Sequence, residues 1–399
     1  MERLKIYNGK VLVQDRIVER GTVVVEDGKI VEAGPMGGRK GFDGEAGDAV
    51  EIDAGGRYVA PGFIDIHVHG GGGHDFMDGT VGAFLGVAET HARYGTTSML
   101  PTTLTCSKES LFEIFDVYRE ANGQNFAGAQ FLGLHLEGPY LAMNQRGAQD
   151  PRHIRNPDPQ EYLEILARSA DIKRWSAAPE LEGALAFGRE VKSRGILVAL
   201  AHTDALYEGT LAGFRNGFTL ATHFYSCMNG VTRRGVHRYA GAVECAYLTE
   251  EMDVEIISDG VHLPEELLRL VYRVKGAEHT ALITDGMRAA GMPEGESILG
   301  SLRDGQRVLI EDGVAKLPDR SAFAGSVATA DRLVRVMVKA GIPLTAAVQM
   351  ITAAPARMIG VDDRKGSLAA GMDADVVLFD EQVRIGMTII GGRVVYDKL

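Results

Sequence analysis

A few short segments of this chain carry side chains whose types and spacing suit them to hold a cation. In Phe63-Ile64-Asp65-Ile66-His67-Val68-His69, a strand's period of two puts Asp65, His67 and His69 on one face. Ile64, Ile66 and Val68 share the other face, which should meet helices. The same alternation in Leu132-Gly133-Leu134-His135-Leu136-Glu137 aligns His135 with Glu137. His202 closes the apolar run 196–201, His223 closes 218–222, and Asp285 closes 281–284. One histidine at a strand end is ordinarily a satisfied polar residue. The set His67, His69, Glu137, His202, His223 and Asp285, each ending an apolar run or sharing its face, does not read as solvated loop. Imidazoles and carboxylates brought together in this way are the ligand set of zinc or a similar borderline divalent ion.

Such convergence needs a scaffold. Eight strand-like runs, near 63–68, 97–101, 131–136, 174–179, 196–201, 218–223, 254–258 and 281–285, alternate with helical patterns such as 81–94, 111–121 and 181–193. That order predicts an α/β fold, a (β/α)8 TIM barrel over 58–359, with the cation-binding groups at the C-terminal strand ends where barrel sites are built. No GxGxxG follows the first strand, and Gly70-Gly71-Gly72-Gly73 reads as a flexible loop. Residues 1–57 carry short strands and an Asp27-Gly28 hairpin signal, and 360–399 look alike. Neither terminal piece can bury a good core alone, so both are expected to form one small β-sandwich domain.

Bulk properties narrow the partners. The chain has 399 residues, 45% of them hydrophobic, enough for a large core. A formal net charge of −12 argues against nucleic acid or an anionic membrane, and an anionic substrate would need a local cationic pocket. Cys106, Cys227 and Cys245 are too few and too scattered for a disulfide framework. The first nine residues lack a signal-peptide core, and no apolar run approaches membrane-spanning length. A cytoplasmic setting is the expectation.

Pro61-Gly62-Phe63-Ile64-Asp65-Ile66-His67-Val68-His69-Gly70 resembles the first-strand signature of the amidohydrolase superfamily. Gly366-Ser367-Leu368 and Gly371-Met372-Asp373-Ala374-Asp375-Val376-Val377 resemble that superfamily's return into its β domain. Within it, His135-Leu136-Glu137-Gly138-Pro139-Tyr140, Arg146-Gly147-Ala148-Gln149, Thr222-His223, Asp259-Gly260-Val261-His262 and Thr284-Asp285 resemble the N-acetylglucosamine-6-phosphate deacetylase family. The resemblance implies Glu137, His202 and His223 as constant metal ligands and Asp285 as the catalytic aspartate. His67 and His69 match the extra pair of members with a second ion. One or two divalent ions are implied, zinc first, with iron, manganese and cobalt as alternatives. The implied reaction is N-deacetylation of an amino sugar phosphate by metal-activated water, with Asp285 as general base and then acid.

For substrate contacts the resemblance points to Ala148, Gln149, Ser226, Cys227, Arg234, His262, Phe323, Ala324 and Gly325. Arg234 and His262 are the implied phosphate cations, with the arginine supplied across a homodimer. This chain departs from the family at Ser226-Cys227-Met228, where Asn-Ala is usual. It departs again over 231–241, where Arg233, Arg234 and Arg238 compete for the phosphate role. His91 and His279 read as structural, and His135 as an interior neighbour of the ligands. His74 and His153 read as loop residues near the barrel mouth. The galacto epimer, a non-phosphorylated amide and a non-catalytic assembly role stay open as alternatives.

Overall fold

The computed structural model describes residues 3–35 and 49–399. Of the N-terminal piece, residues 1–2 and 36–48 lie outside the described residues.

The two ends of the chain form one sheet. The Asp27-Gly28 turn has positive φ at both positions, as a tight hairpin requires, and Glu26 pairs with Lys29 across it. Strand Tyr58–Pro61 pairs antiparallel with the C-terminal strand Val376–Phe379 and parallel with Arg3–Val13. It therefore belongs to the terminal sheet, although the sequence division places it on the barrel side of residue 57. Ile6, Val23 and Val25 from one end and Val376, Leu378 and Ile389 from the other share a single core. Each half supplies the apolar surface that the other lacks.

The barrel strands are Phe63–Val68, Thr96–Thr103, Leu134–Glu137, Ile172–Ala177, Leu197–Leu200, Phe218–Ala221, Asp253–Ile256 and Thr280–Leu282. Each runs parallel to its neighbour in chain order. A bridge between Val68 and Gly286, with Asp285 N–H donating to His67 O at 2.9 Å, joins the last strand to the first. Outward side chains such as Leu134, Leu136, Trp175, Val198 and Leu200 pack against helix residues including Phe84, Phe115 and Phe187. Burying each such side chain contributes about 1.5–3 kcal/mol. Register shifts in the first strand break its strict alternation. Ile64 and Ile66 consequently join a separate core with Leu100, Ala199, Leu220, Ala281 and Ala354, while Val68 joins the helix-facing one.

The helix expected from residue 111 begins at Lys108, because the Ser107 side chain caps it by accepting from Ser110 N–H at 3.1 Å. The glycine run is also more ordered than its composition suggests. Gly70–Gly71 pairs with His74–Asp75 in a small hairpin, and a Cβ at Gly70 would meet His74 O at 2.3 Å. The glycines are there for close approach. A four-stranded antiparallel sheet, Gly295–Leu299, Gln306–Glu311, Val314–Lys316 and Phe323–Ser326, follows the eighth strand and was not foreseen. Among the described residues no helix is long and apolar enough to cross a membrane.

Candidate active site

The six strand-end groups converge. Ligand atoms of His67, His69 and Asp285 lie within 4.8 Å of one another, and so do those of Glu137, His202 and His223. Glu137 joins the two groups. Its Oε1 is 3.1 Å from His223 Nε2, 3.3 Å from His202 Nε2 and 3.4 Å from His67 Nε2, and its Oε2 is 3.4 Å from His69 Nε2. Asp285 Oδ1 lies 3.2 Å from His69 Nε2 and 3.5 Å from His67 Nε2. The chain turns sharply to aim these groups inward: His202, His223 and Asp285 all have positive φ, at 45°, 31° and 46°. Left-handed backbone at three bulky residues is stored strain, and it falls on the groups that face the cluster.

The hydrogen bonds behind the cluster fix which nitrogen faces in. His67 Nδ1–H donates to Glu255 Oε1 at 2.8 Å, and His202 Nδ1–H donates to Gln145 O at 2.7 Å. His69 Nδ1–H points at Thr102 O at 3.3 Å. Each neutral ring therefore presents its Nε2 lone pair to the cluster. Those lone pairs crowd together, with His67 and His69 Nε2 3.3 Å apart and His202 and His223 Nε2 3.2 Å apart, beside two carboxylates. Such an arrangement repels itself unless a cation sits among the atoms, and N/O donors oriented by outer hydrogen bonds are what a divalent metal takes.

Protons compete for the same lone pairs. Burial pulls the His67 imidazole down, but Glu137, Glu255 and Asp285 outweigh it and raise it to about 9. Burial likewise opposes His69, which Asp285 and Glu137 raise to about 10. In the metal-free protein, raised pKa values contribute stability that is fully present below the ordinary imidazole value of 6.5 and is lost as pH rises through the folded values of about 9 and about 10. Chelated protein is thus expected to lose Tm progressively as pH rises from about 7 toward 10, while metal-loaded protein lacks that slope. Thermal melts across pH, with and without chelator, measure it; parallel curves would contradict metal–proton competition at these histidines.

Behind the cluster lies a buried network that the sequence reading missed. Arg174 and Glu255 form a fully buried pair, with Arg174 Nη1 donating to Glu255 Oε2 at 2.5 Å. Burial opposes the Glu255 charge, yet Arg174 and His67 bring its carboxyl down to about 2. Glu255 also accepts from the His223 backbone N–H at 3.1 Å, so one carboxylate orients His67 and anchors the start of the His223 turn. Removing one partner of such a pair costs about 3–5 kcal/mol. The available signal was a charged residue beside an apolar one within each strand: Glu255 between Val254 and Ile256, and Arg174 before Trp175. His135 is an interior group as expected, donor or acceptor to Ser176 Oγ at 2.7 Å and Thr102 Oγ1 at 3.2 Å.

A cavity of about 260 Å³ opens over the cluster. Ala148, Gln149, Ser226, Cys227, His262, Phe323 and Gly325 line it, together with Glu137, His202, His223 and Asp285. Gln149 Nε2 donates to Glu137 Oε2 at 2.6 Å. His262 Nδ1–H donates to Asp259 Oδ2 at 2.8 Å, which leaves Nε2 for the cavity, and its ring lies 4.7 Å from that of Phe323, tilted by 51°. Gly325 has φ +73°, and a Cβ there would meet Asp285 O at 2.9 Å. Two expected contact residues do not line this chain's own cavity, one of them the arginine expected from a partner subunit. The Ala324 side chain points the other way along its strand, into the core of the four-stranded sheet with Leu299 and Val308. Arg234 lies on an exposed hairpin, Thr232–Arg234 paired with His237–Tyr239, its guanidinium 5.4 Å from the Tyr239 ring and away from this chain's own cavity.

His91 Nε2 donates to Gly70 O at 2.9 Å and His279 pairs with Asp253, so both are structural. His74 is exposed and His153 lines a neighbouring cavity; neither lines the one over the cluster.

Comparison with known proteins agrees with this geometry. Residues 58–395 match the Amidohydrolase family. An N-acetylglucosamine-6-phosphate deacetylase of Lysinibacillus sphaericus is 34% identical over 94% of this chain and 93% of its own. An N-acetylgalactosamine-6-phosphate deacetylase of Escherichia coli O157:H7 is 35% identical over 84% and 87%. A mutant N-acetyl-D-glucosamine-6-phosphate deacetylase from Mycobacterium smegmatis, solved in complex with N-acetyl-D-glucosamine-6-phosphate, superposes with a TM-score of 0.88 at 29% identity, covering 99% of this chain and 100% of that one.

Proposed function

The chain belongs to the amidohydrolase family, and from that premise we propose that it deacetylates an N-acetylhexosamine 6-phosphate, foremost N-acetylglucosamine 6-phosphate, to the amino sugar phosphate and acetate. It is a hydrolase of carbon–nitrogen amide bonds. The observation that carries the reading is the pair of ligand groups meeting at Glu137, with Asp285 and His262 facing the same cavity.

An amide carbonyl is a poor electrophile and its amine a poor leaving group, so both ends need assistance. A divalent ion supplies a water acidified toward neutrality and a polarised acyl oxygen. Glu137, His202 and His223 would hold one ion, and His67, His69 and Asp285 a second; zinc is the proposed metal. In the metal-free protein burial alone would raise Asp285, but protonated His67 and His69 outweigh it and keep the carboxyl below its usual value. Asp285 takes the proton of the attacking water and returns it to the departing nitrogen. Gln149 holds Glu137 in place, and Glu255 holds His67. His262, oriented by Asp259, offers its Nε2 to the phosphate.

The second phosphate cation is proposed to come from a partner subunit of a homodimer. Supporting this, the hairpin carrying Arg234 projects from its own chain, with Val231 62% and Val236 76% exposed. Arg234→Ala should raise KM at least about tenfold with little change in kcat, as loss of uniform binding does. Mixing it with an inactive Asp285→Asn partner should bring KM back toward the unsubstituted value, and failure to complement would contradict donation across the interface. Cytoplasmic residence belongs to the same proposal, supported by free thiols at Cys106, Cys227 and Cys245.

A second reading, the galacto epimer, is favoured by the Escherichia coli relative. Acetate release from both 6-phosphates and from the unphosphorylated sugars tests all of this. The gluco phosphate should be turned over at least about a hundredfold more efficiently than the free sugars, about 2.7 kcal/mol of transition-state binding. Equal rates on free sugars would remove the phosphate from the reading.

A further inference from the structure

A second cavity of about 360 Å³ lies against the one over the ligand cluster, and Leu104, Ala148, Gln149 and Leu299 line both. Gln149 ties this common wall to the reacting centre: Nε2 donates to Glu137, and Oε1 accepts from Thr105 N–H at 2.9 Å. Thr105 and Cys106 then face the second cavity. Neither the ligand cluster nor His262 needs this space.

Its size and chemistry are informative. An acetyl methyl is comparable to one water, whose share of liquid volume is about 30 Å³. The second cavity is the size of a small-ligand pocket in its own right, a class that starts at about 300 Å³. Beyond the wall its lining includes the polar residues Ser110, His153 and Gln306 and the charged residues Glu113, Asp304 and Arg303. Asp78 and Asp150 also line it, each paired with an arginine, Arg288 and Arg152. Carboxylates at this density disfavour a phosphate dianion, which goes to the His262 end of the first cavity. The wall between the cavities presents the apolar side chains of Leu104 and Leu299, suited to alkyl carbons. An amide whose amine half lies toward Ser226 and His262 therefore directs its acyl substituent at this wall.

Resting on the deacetylase reading, we propose that the second cavity is an acyl-chain subsite. The enzyme then also hydrolyses hexosamine 6-phosphates whose N-acyl group extends beyond acetyl, with uncharged polar tails preferred to carboxylates. The step is the same: water adds to the acyl carbon, the carbon–nitrogen bond breaks, and the acid and the amine leave, the proton passing to nitrogen.

The test is kcat/KM of the metal-loaded enzyme on glucosamine 6-phosphate carrying N-acetyl, N-butyryl, N-4-hydroxybutyryl or N-succinyl groups. The butyryl and hydroxybutyryl compounds should fall within about tenfold of acetyl, the hydroxylated one ahead, and succinyl at least about tenfold lower again. Ser110→Trp, which puts a ring at the mouth of the second cavity, should depress the longer substrates and spare acetyl. Acetyl turnover with the longer compounds down by more than a hundredfold overturns the subsite and leaves the deacetylase reading standing. Ser110→Trp acting equally on every substrate also overturns it. No turnover of any compound, acetyl included, overturns the deacetylase reading and the subsite with it.

Discussion

Asp285→Asn is expected to keep the ion that Glu137, His202 and His223 would hold and to lose turnover by at least about 10³-fold, about 4 kcal/mol in the barrier. Asparagine preserves the shape of the side chain, so the strand-end turn at φ 46° and the backbone N–H bond to His67 O are retained. The Glu137, His202 and His223 group is untouched by the change. What disappears is the capacity to accept a proton from water and hand it on. Steady-state kcat and metal content on the same sample separate the roles. An active variant contradicts the general-base assignment, and an inactive variant that has also lost the ion of the Glu137 group reduces Asp285 to a ligand.

Glu137→Gln should be the more destructive change, because Glu137 sets its carboxylate oxygens against the imidazole Nε2 atoms of both ligand groups. Glu137 contacts His67, His69, His202 and His223, all within 3.4 Å. Burial opposes its charge, but the surrounding histidines hold the carboxyl well below its usual range. An amide in its place offers one neutral oxygen where two charged ones stood. Metal affinity should fall by more than the 10–100-fold typical of losing an outer partner, with turnover below detection. Gln149→Ala, which removes the hydrogen bonds to Glu137 and from Thr105 N–H but leaves the Glu137 carboxylate, should fall within that smaller range. Metal titration by calorimetry gives both numbers, and equal losses in the two variants would contradict the bridging role of Glu137.

Much of the barrel and its ligand set was legible because the relevant pattern is local. Apolar runs ending in His202, His223 and Asp285 mark strand termini whatever they pair with. The short sheet over 295–326 had its own signal, an Asp312-Gly313 turn with φ 55° and 71° between alternating strands, but nothing local tied it to the mouth of the barrel. Arg174 and Glu255 stood in view as charges beside apolar strand residues, yet their partnership spans 81 residues and is set by barrel closure.

The sequence by itself determined that the groups closing the apolar runs share one end of the barrel, since strand termini are marked locally, while register shifts in the first strand overrode its strict alternation. It likewise determined that both termini must share a core, because neither carries enough apolar surface. Only the tertiary structure decided that Glu137 sits between two groups of histidines, that Ala324 faces a core, and that Arg234 stands away from its own cavity. Those outcomes depend on register between distant strands and on how a loop folds back. Contacts between segments far apart in the chain set them, and no local period encodes such contacts.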